Sequence, residues 1–198
     1  MENIRASLND GNVKALGDAM AAFRTARQHN GLLTVDASCM KAAAGMVDDI
    51  DPRLFAELCS YCHPDDTFQC VVYGALNQCL PLLTYFLPAL TSEAKAEVWP
   101  LFPILIEEKK YDVIHALRAE GIAPHRDDFT VWPLVVNAQF VELMQAMRGT
   151  NGRMNPLYVR PMVSYCETLL ADASLSPERK SFTRTFLEAF QSDCAAIG

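Results

Sequence analysis

Val98-Trp99-Pro100-Leu101 returns, letter for letter, as Val131-Trp132-Pro133-Leu134, 33 positions further along the chain. That spacing is the length of one helix-turn-helix unit in a repeat protein, so the tetrapeptide bears on the whole architecture. Each copy is followed by an apolar helical stretch, a break and a second helical stretch, over 111–120 and 140–148. One hairpin of this kind cannot bury its apolar face alone, whereas a stack of them can. The expected fold is therefore all-α: a right-handed α-solenoid of about six stacked helix-turn-helix hairpins.

The punctuation along the chain agrees with this. Asn12 is placed to cap a helix over 13–28, in which Val13, Leu16, Met20 and Phe23 fall at helical spacing. A second helix is expected over 36–46, and Asp51-Pro52 forms a cap and first residue for another over 54–62. Residues 67–76 and 80–90 pair as one hairpin, 93–108 and 111–120 as the next, closed by Gly121. Helices over 128–138 and 140–148 follow; Asn155-Pro156 then opens 157–170, and Ser176-Pro177 opens 178–194. No run alternates with period two for more than four residues, so almost no sheet is expected. Pro100 and Pro133 fit a first turn, while Pro103 should kink or delay its helix. Residues 1–154 read as the array and 155–198 as a C-terminal hairpin capping the same domain, since end units must shield the core.

The register extends beyond the tetrapeptide. Asp66-Thr67-Phe68-Gln69 stands where Glu97-Val98-Trp99-Pro100 stands one unit later, and Asp128-Phe129-Thr130-Val131-Trp132 follows. Asp36-Ala37-Ser38-Cys39 lies in looser phase with Thr67-Phe68-Gln69-Cys70, 31 residues from one cysteine to the other.

Charge and cysteine usage bound the function classes. The net charge is −7, with no run of Lys or Arg, opposite to the usual footprint of nucleic-acid binding. Seven cysteines, an odd set, with no apolar leader after Met1-Glu2-Asn3-Ile4-Arg5, point to a reducing compartment. The expected location is intracellular, cytoplasmic or organellar after removal of a targeting peptide. Between Asp66 and Glu93 no side chain is charged, a length that could span a bilayer. Gln69, Asn77, Gln78, Pro81 and Pro88 interrupt it, so a buried hairpin split near Asn77-Gln78 is expected and no membrane span.

Gly121-Ile122-Ala123-Pro124, followed by Asp128-Phe129-Thr130, resembles the junction between pentatricopeptide repeats. Pro64-Asp65-Asp66-Thr67-Phe68-Gln69 looks similar, and Gly31-Leu32-Leu33-Thr34 more faintly; together the resemblance spans residues 33–147. It implies an array that binds single-stranded RNA, with bases read from the first helix of each unit, and places Gln69, Trp99 and Trp132 as the readers. The 33-residue spacing and Ala119-Glu120-Gly121-Ile122-Ala123-Pro124 also look like ankyrin repeats, with Trp-Pro-Leu standing for part of that family's Thr-Pro-Leu-His. Ankyrin-like and tetratricopeptide-like arrays imply a protein partner held along the groove, and Gln69, Trp99 and Trp132 are then its contacts. A non-catalytic interaction or scaffold module, one that could serve as a subunit of a larger assembly, is the leading expectation, with single-stranded RNA binding as the alternative.

Cys59-Ser60-Tyr61-Cys62-His63 is the sharpest short motif. C-x-x-C-H is the pattern of covalent haem attachment, and Cys59, Cys62 and His63 could equally supply part of a zinc site. The plainer reading is a helix C-terminus carrying two semi-buried thiols and a histidine suited to that end of the helix dipole. The acid pairs Asp48-Asp49, Asp65-Asp66 and Asp127-Asp128 fall at helix starts and turns, where Asp caps backbone N–H groups. No G-x-S-x-G, H-E-x-x-H, G-x-x-x-x-G-K-[ST] or G-x-G-x-x-G occurs. No catalytic residue and no cofactor is therefore expected. Trp99 and Trp132 would form a ladder about 10 Å apart if they project from equivalent first helices, or else fill the core between hairpins.

Overall fold

A computed structural model describes residues 2–122, 131–138 and 156–195. Among them every regular element is a helix and no strand occurs. The chain divides into two compact units, Met1–Ala96 and Glu97–Gly198.

The first unit opens with α1 (Glu2–Asn9), a helix the sequence reading did not anticipate. Ile4 and Leu8, one turn apart, form its buried face. Gly11, in the left-handed region at φ +66°, turns the chain into Asn12. The Asn12 side chain then accepts the Ala15 N–H at 3.0 Å and caps α2 (Val13–His29), as expected. α3 (Ala37–Ala44) follows, and Asp51 caps α4 (Pro52–Ser60) by accepting the Arg53 N–H at 2.7 Å.

The uncharged stretch folds as a tight hairpin of α5 (Thr67–Leu76) and α6 (Leu80–Phe86), with a 3-10 turn over Leu87–Ala89. Gln78, at φ +54°, makes the break at the expected place. Gly74 lets the helices approach, because a Cβ there would lie 3.0 Å from Leu83 Cδ2. No helix among the described residues is long and apolar enough to cross a membrane.

In this unit α1 packs on α2 and α3, α3 on α5, α4 on α6, and α5 on α6. Polar joints link residues 26 to 33 positions apart in this unit. Arg5 pairs with Asp36, which accepts the Cys39 N–H as the cap of α3. Asp66 Oδ2 accepts the Ala37 N–H at 3.1 Å. Arg24 makes a two-pronged contact with Glu57, both bonds 2.8 Å, and the Tyr61 hydroxyl donates to the same carboxylate. Val35 and Cys62 meet as an isolated parallel bridge: the Val35 N–H reaches the Tyr61 carbonyl (2.8 Å) and the His63 N–H reaches the Val35 carbonyl (3.0 Å).

The helix expected over 93–108 is divided. α7 (Ser92–Ala96) closes the first unit; a 3-10 turn over Trp99–Leu101 and then α8 (Phe102–Glu107) begin the second. Pro100 and Pro103 lack the N–H needed inside a continuous helix, and each is accommodated only in a first turn. α9 (Tyr111–Ala119) ends at Gly121, φ +78°, where the Ile122 N–H returns to the Leu117 carbonyl. α10 (Val131–Ala138), α11 (Pro156–Ala171) and α12 (Pro177–Ala195) complete the described residues, and Ser176 caps α12 through the Arg179 N–H. Here α8 packs on α9 and α10, α10 on α11 and α12, and α11 on α12. The helix expected over 140–148, the Asn155 cap and the boundary at 154/155 lie outside the described residues.

Some of the buried positions fall at similar intervals along the chain. Met40, Val71, Phe102, Val135 and Cys166 are all fully buried, on α3, α5, α8, α10 and α11, and follow one another at 31, 31, 33 and 31 residues. Phe23, Phe55, Phe86 and Leu117, on α2, α4, α6 and α9, recur at 32, 31 and 31, none more than 6% exposed. Only at Val98 and Val131, also fully buried, does the period surface as a repeated tetrapeptide.

Candidate functional site

α4 and α6 lie side by side and leave an apolar groove of about 470 Å³ between them. α4 contributes Pro52, Phe55 and Ala56, and α6 contributes Leu80, Pro81, Thr84 and Tyr85. Spacings of three and four link Pro52 with Phe55 and Ala56, Leu80 with Thr84, and Pro81 with both Thr84 and Tyr85, so each helix turns one side to the groove. Val47 joins them from the turn after α3. Phe55 is the buried floor at 4% exposure, whereas Leu80 and Tyr85 remain 38% and 43% exposed. Tyr85 stands edge-on against Phe86, centroids 5.0 Å apart, which fixes its ring at the groove. Burial, with the Cys59 and Cys62 thiols nearby, pushes the Tyr85 hydroxyl up.

The turn that leads into α4 carries Asp48, Asp49 and Asp51, all exposed. Asp51 spends its carboxylate on the helix cap. Asp48 and Asp49, next in the chain to the lining residue Val47, give this end of the groove a negative field. An apolar trough with an acidic approach suits an apolar segment flanked by cations.

Behind the groove lie thiols. Cys59 is buried and pushed up to about 12 by that burial. Cys62 is partly exposed, and its Sγ lies 3.5 Å from Sγ of fully buried Cys70. The hydrogen-bonded contact with Cys70 holds the Cys62 thiol below the ordinary thiol range, while the same contact and burial push Cys70 well above it. His63 turns away from the motif: its Nδ1 accepts the Asp65 N–H at 3.3 Å and caps the 3-10 turn Pro64–Asp66. The expected histidine at the C-terminal end of α4 is thus instead an N-terminal acceptor for the next element, because the backbone there needs acceptors for its free N–H groups. Among the described residues no three His, Cys, Asp or Glu side chains converge as ligands for a metal ion.

Gln69 is exposed on α5, and Trp99 is half-buried in the 3-10 turn before α8. Trp132 is the second residue of α10, and its side chain lies outside the described ones. Counting three residues back from the buried Val71, Phe102 and Val135 gives Phe68, Trp99 and Trp132. Phe68 is half-buried like Trp99. The groove residues escaped sequence reading, because Leu80, Pro81, Thr84 and Tyr85 look like one more buried helix face. Their only signal was the stretch's uncharged length.

No family model, no curated protein and no solved structure matches the chain.

Proposed function

We propose that the chain is a degenerate helical-hairpin repeat protein, an α-solenoid in kind, that binds a protein partner without catalysing a reaction. The two sets of buried positions recurring at 31 to 33 residues support the repeat, as does the packing of α1, α3 and α5, and of α8, α10 and α11, on their neighbours in order. The binding site is the α4–α6 groove, and its occupant is a partner segment with apolar side chains for the trough and Lys or Arg beside them. The observation that carries this reading is the pairing of exposed Leu80 and Tyr85 with the acidic turn at Asp48-Asp49. The net charge of −7 favours a cationic partner over RNA, whose phosphates would meet carboxylates.

The test is selection of a displayed random-peptide library on the full chain, with fluorescent single-stranded RNA titrated in parallel at low and high salt. Enriched peptides should combine apolar anchors with flanking basic residues. Their affinity should fall about tenfold or more for Tyr85→Ala and for paired Asp48→Lys, Asp49→Lys. Peptides indifferent to both changes, or salt-sensitive RNA binding with no peptide enriched, would overturn the reading.

A further inference from the structure

We propose that Cys62 is an oxidant-reactive thiol and Cys70 its resolving partner, so that a hydroperoxide joins the segment leaving α4 to the first turn of α5 by a disulfide. The two sulfurs already touch at 3.5 Å and need to close by about 1.5 Å to reach a bond. Their surroundings differ in the way such a pair requires. Cys62 is partly exposed between Tyr61 and His63, so dissolved peroxide meets it first. Cys70 is fully buried and is shielded until the first step has occurred.

The electrostatics assign the same order. The Cys70 hydrogen bond favours the Cys62 thiolate, against burial and the opposing carboxylates of Asp66 and Asp36, and Cys70 itself stays protonated. Cys59, close by in the chain, is buried and pushed up to about 12, which leaves it a poor nucleophile at neutral pH. Cys39 and Cys79 are fully buried and likewise raised by burial.

In the first step the Cys62 thiolate attacks a peroxide oxygen. An S–O bond forms, the O–O bond breaks, and the departing alkoxide takes a proton from solvent, replacing the one Cys62 released. The product is a sulfenic acid at Cys62 and an alcohol, or water where the oxidant is hydrogen peroxide. In the second step the Cys70 sulfur attacks Cys62 Sγ; the S–S bond forms, the S–O bond breaks, and hydroxide leaves with the Cys70 proton as water. Two thiols are oxidised by two electrons and one hydroperoxide is reduced.

The backbone holds Cys62 for this reaction. Its neighbours Tyr61 and His63 are both tied to Val35, at 2.8 and 3.0 Å, so the segment is anchored on each side of the sulfur.

The experiment is titration of the reduced full chain with hydrogen peroxide, followed by alkylation and peptide mass mapping. Wild type should yield one linked peptide pair, Cys62 to Cys70, two hydrogens lighter than the reduced form. Cys62 should be consumed at least about tenfold faster than any other cysteine. Cys70→Ser should stop at the sulfenic acid and give a dimedone adduct at Cys62, and Cys62→Ser should leave Cys70 unmodified. Preferential oxidation of a different cysteine, a different linkage, or no dimedone adduct in Cys70→Ser would overturn the proposal. Where a serine variant fails to fold, the wild-type linkage map decides alone.

Discussion

Asp66 Oδ2 accepts the backbone N–H of Ala37 at 3.1 Å, so the residue just ahead of α5 satisfies a free donor in the first turn of α3, a hairpin earlier. A helix start leaves its first N–H groups without partners, and Asp36 serves only part of that need by accepting from Cys39. The cap is thus shared between neighbouring hairpins, and it couples the folding of one to the presence of the next.

Asp66→Ala should therefore cost about 1 kcal/mol, the usual value of a lost cap. Asp66→Asn, which keeps an acceptor oxygen, should cost only a few tenths of that order. Urea unfolding measures the loss, and amide hydrogen exchange locates it: Ala37 should exchange faster in Asp66→Ala. Unchanged protection at Ala37 would show that the bond contributes nothing.

Glu57 gives a pH dependence with a definite sign. Hydrogen bonds from Arg24 hold its carboxyl below the ordinary glutamate value of 4.5, so the folded chain binds this proton less readily than the unfolded one. The resulting stabilisation is complete above pH 4.5 and is lost as the pH falls through the lower folded value. Glu57→Gln should lower the melting temperature near neutral pH by the equivalent of about 0.5–1 kcal/mol, modest because Arg24 is half exposed. The gap from wild type should narrow below pH 4.5, and also in about 1 M salt. A gap constant across both series would mean that the ion pair is not its source.

The buried period ranks the aromatic residues around the repeated tetrapeptide. Phe102 is fully enclosed while Trp99, larger and only three residues earlier, is half-buried. Truncating Phe102 to Ala should cost about 3–5 kcal/mol, with a cavity left in the second unit. Trp99→Ala should cost clearly less, on the order of 1–2 kcal/mol, because much of its ring already meets water. Chemical denaturation of the two variants side by side decides the ranking; an equal or reversed order would place Trp99 in the core.

Most helices were legible because their ends carry their own chemistry. Asn12, Asp51-Pro52, Ser176-Pro177 and Gly121 each act at the boundary where their side chains or φ preferences placed them. α5 matches its expected bounds because no proline falls within Thr67–Leu76 and Gln78, at positive φ, ends the hairpin's first helix just beyond it. The failures have equally local causes. α1 was passed over because eight residues with two apolar anchors make a weak pattern, rescued by tertiary packing on α2 and α3. The stretch 93–108 is divided: Pro103 delays its helix as expected, while Pro100 sits in a separate 3-10 turn and not in the first turn of a long helix.

The groove and the thiol pair were less accessible still. Cys62 and Cys70 stand eight residues apart, a separation with no meaning until the chain turns at Pro64 and starts α5. The haem-like spelling groups Cys62 with Cys59 and His63, yet His63 serves the backbone and Cys59 is buried. A sequence motif names residue types; which of them share a space is decided by the turn that follows.

The spacing between Phe102 and Val135 exceeds its neighbours by two residues, yet both side chains remain fully shielded from water. Inward orientation thus survives an uneven interval, and side chains as different as Met40, Val71, Phe102 and Cys166 meet it, so what these positions share is enclosure and not chemistry.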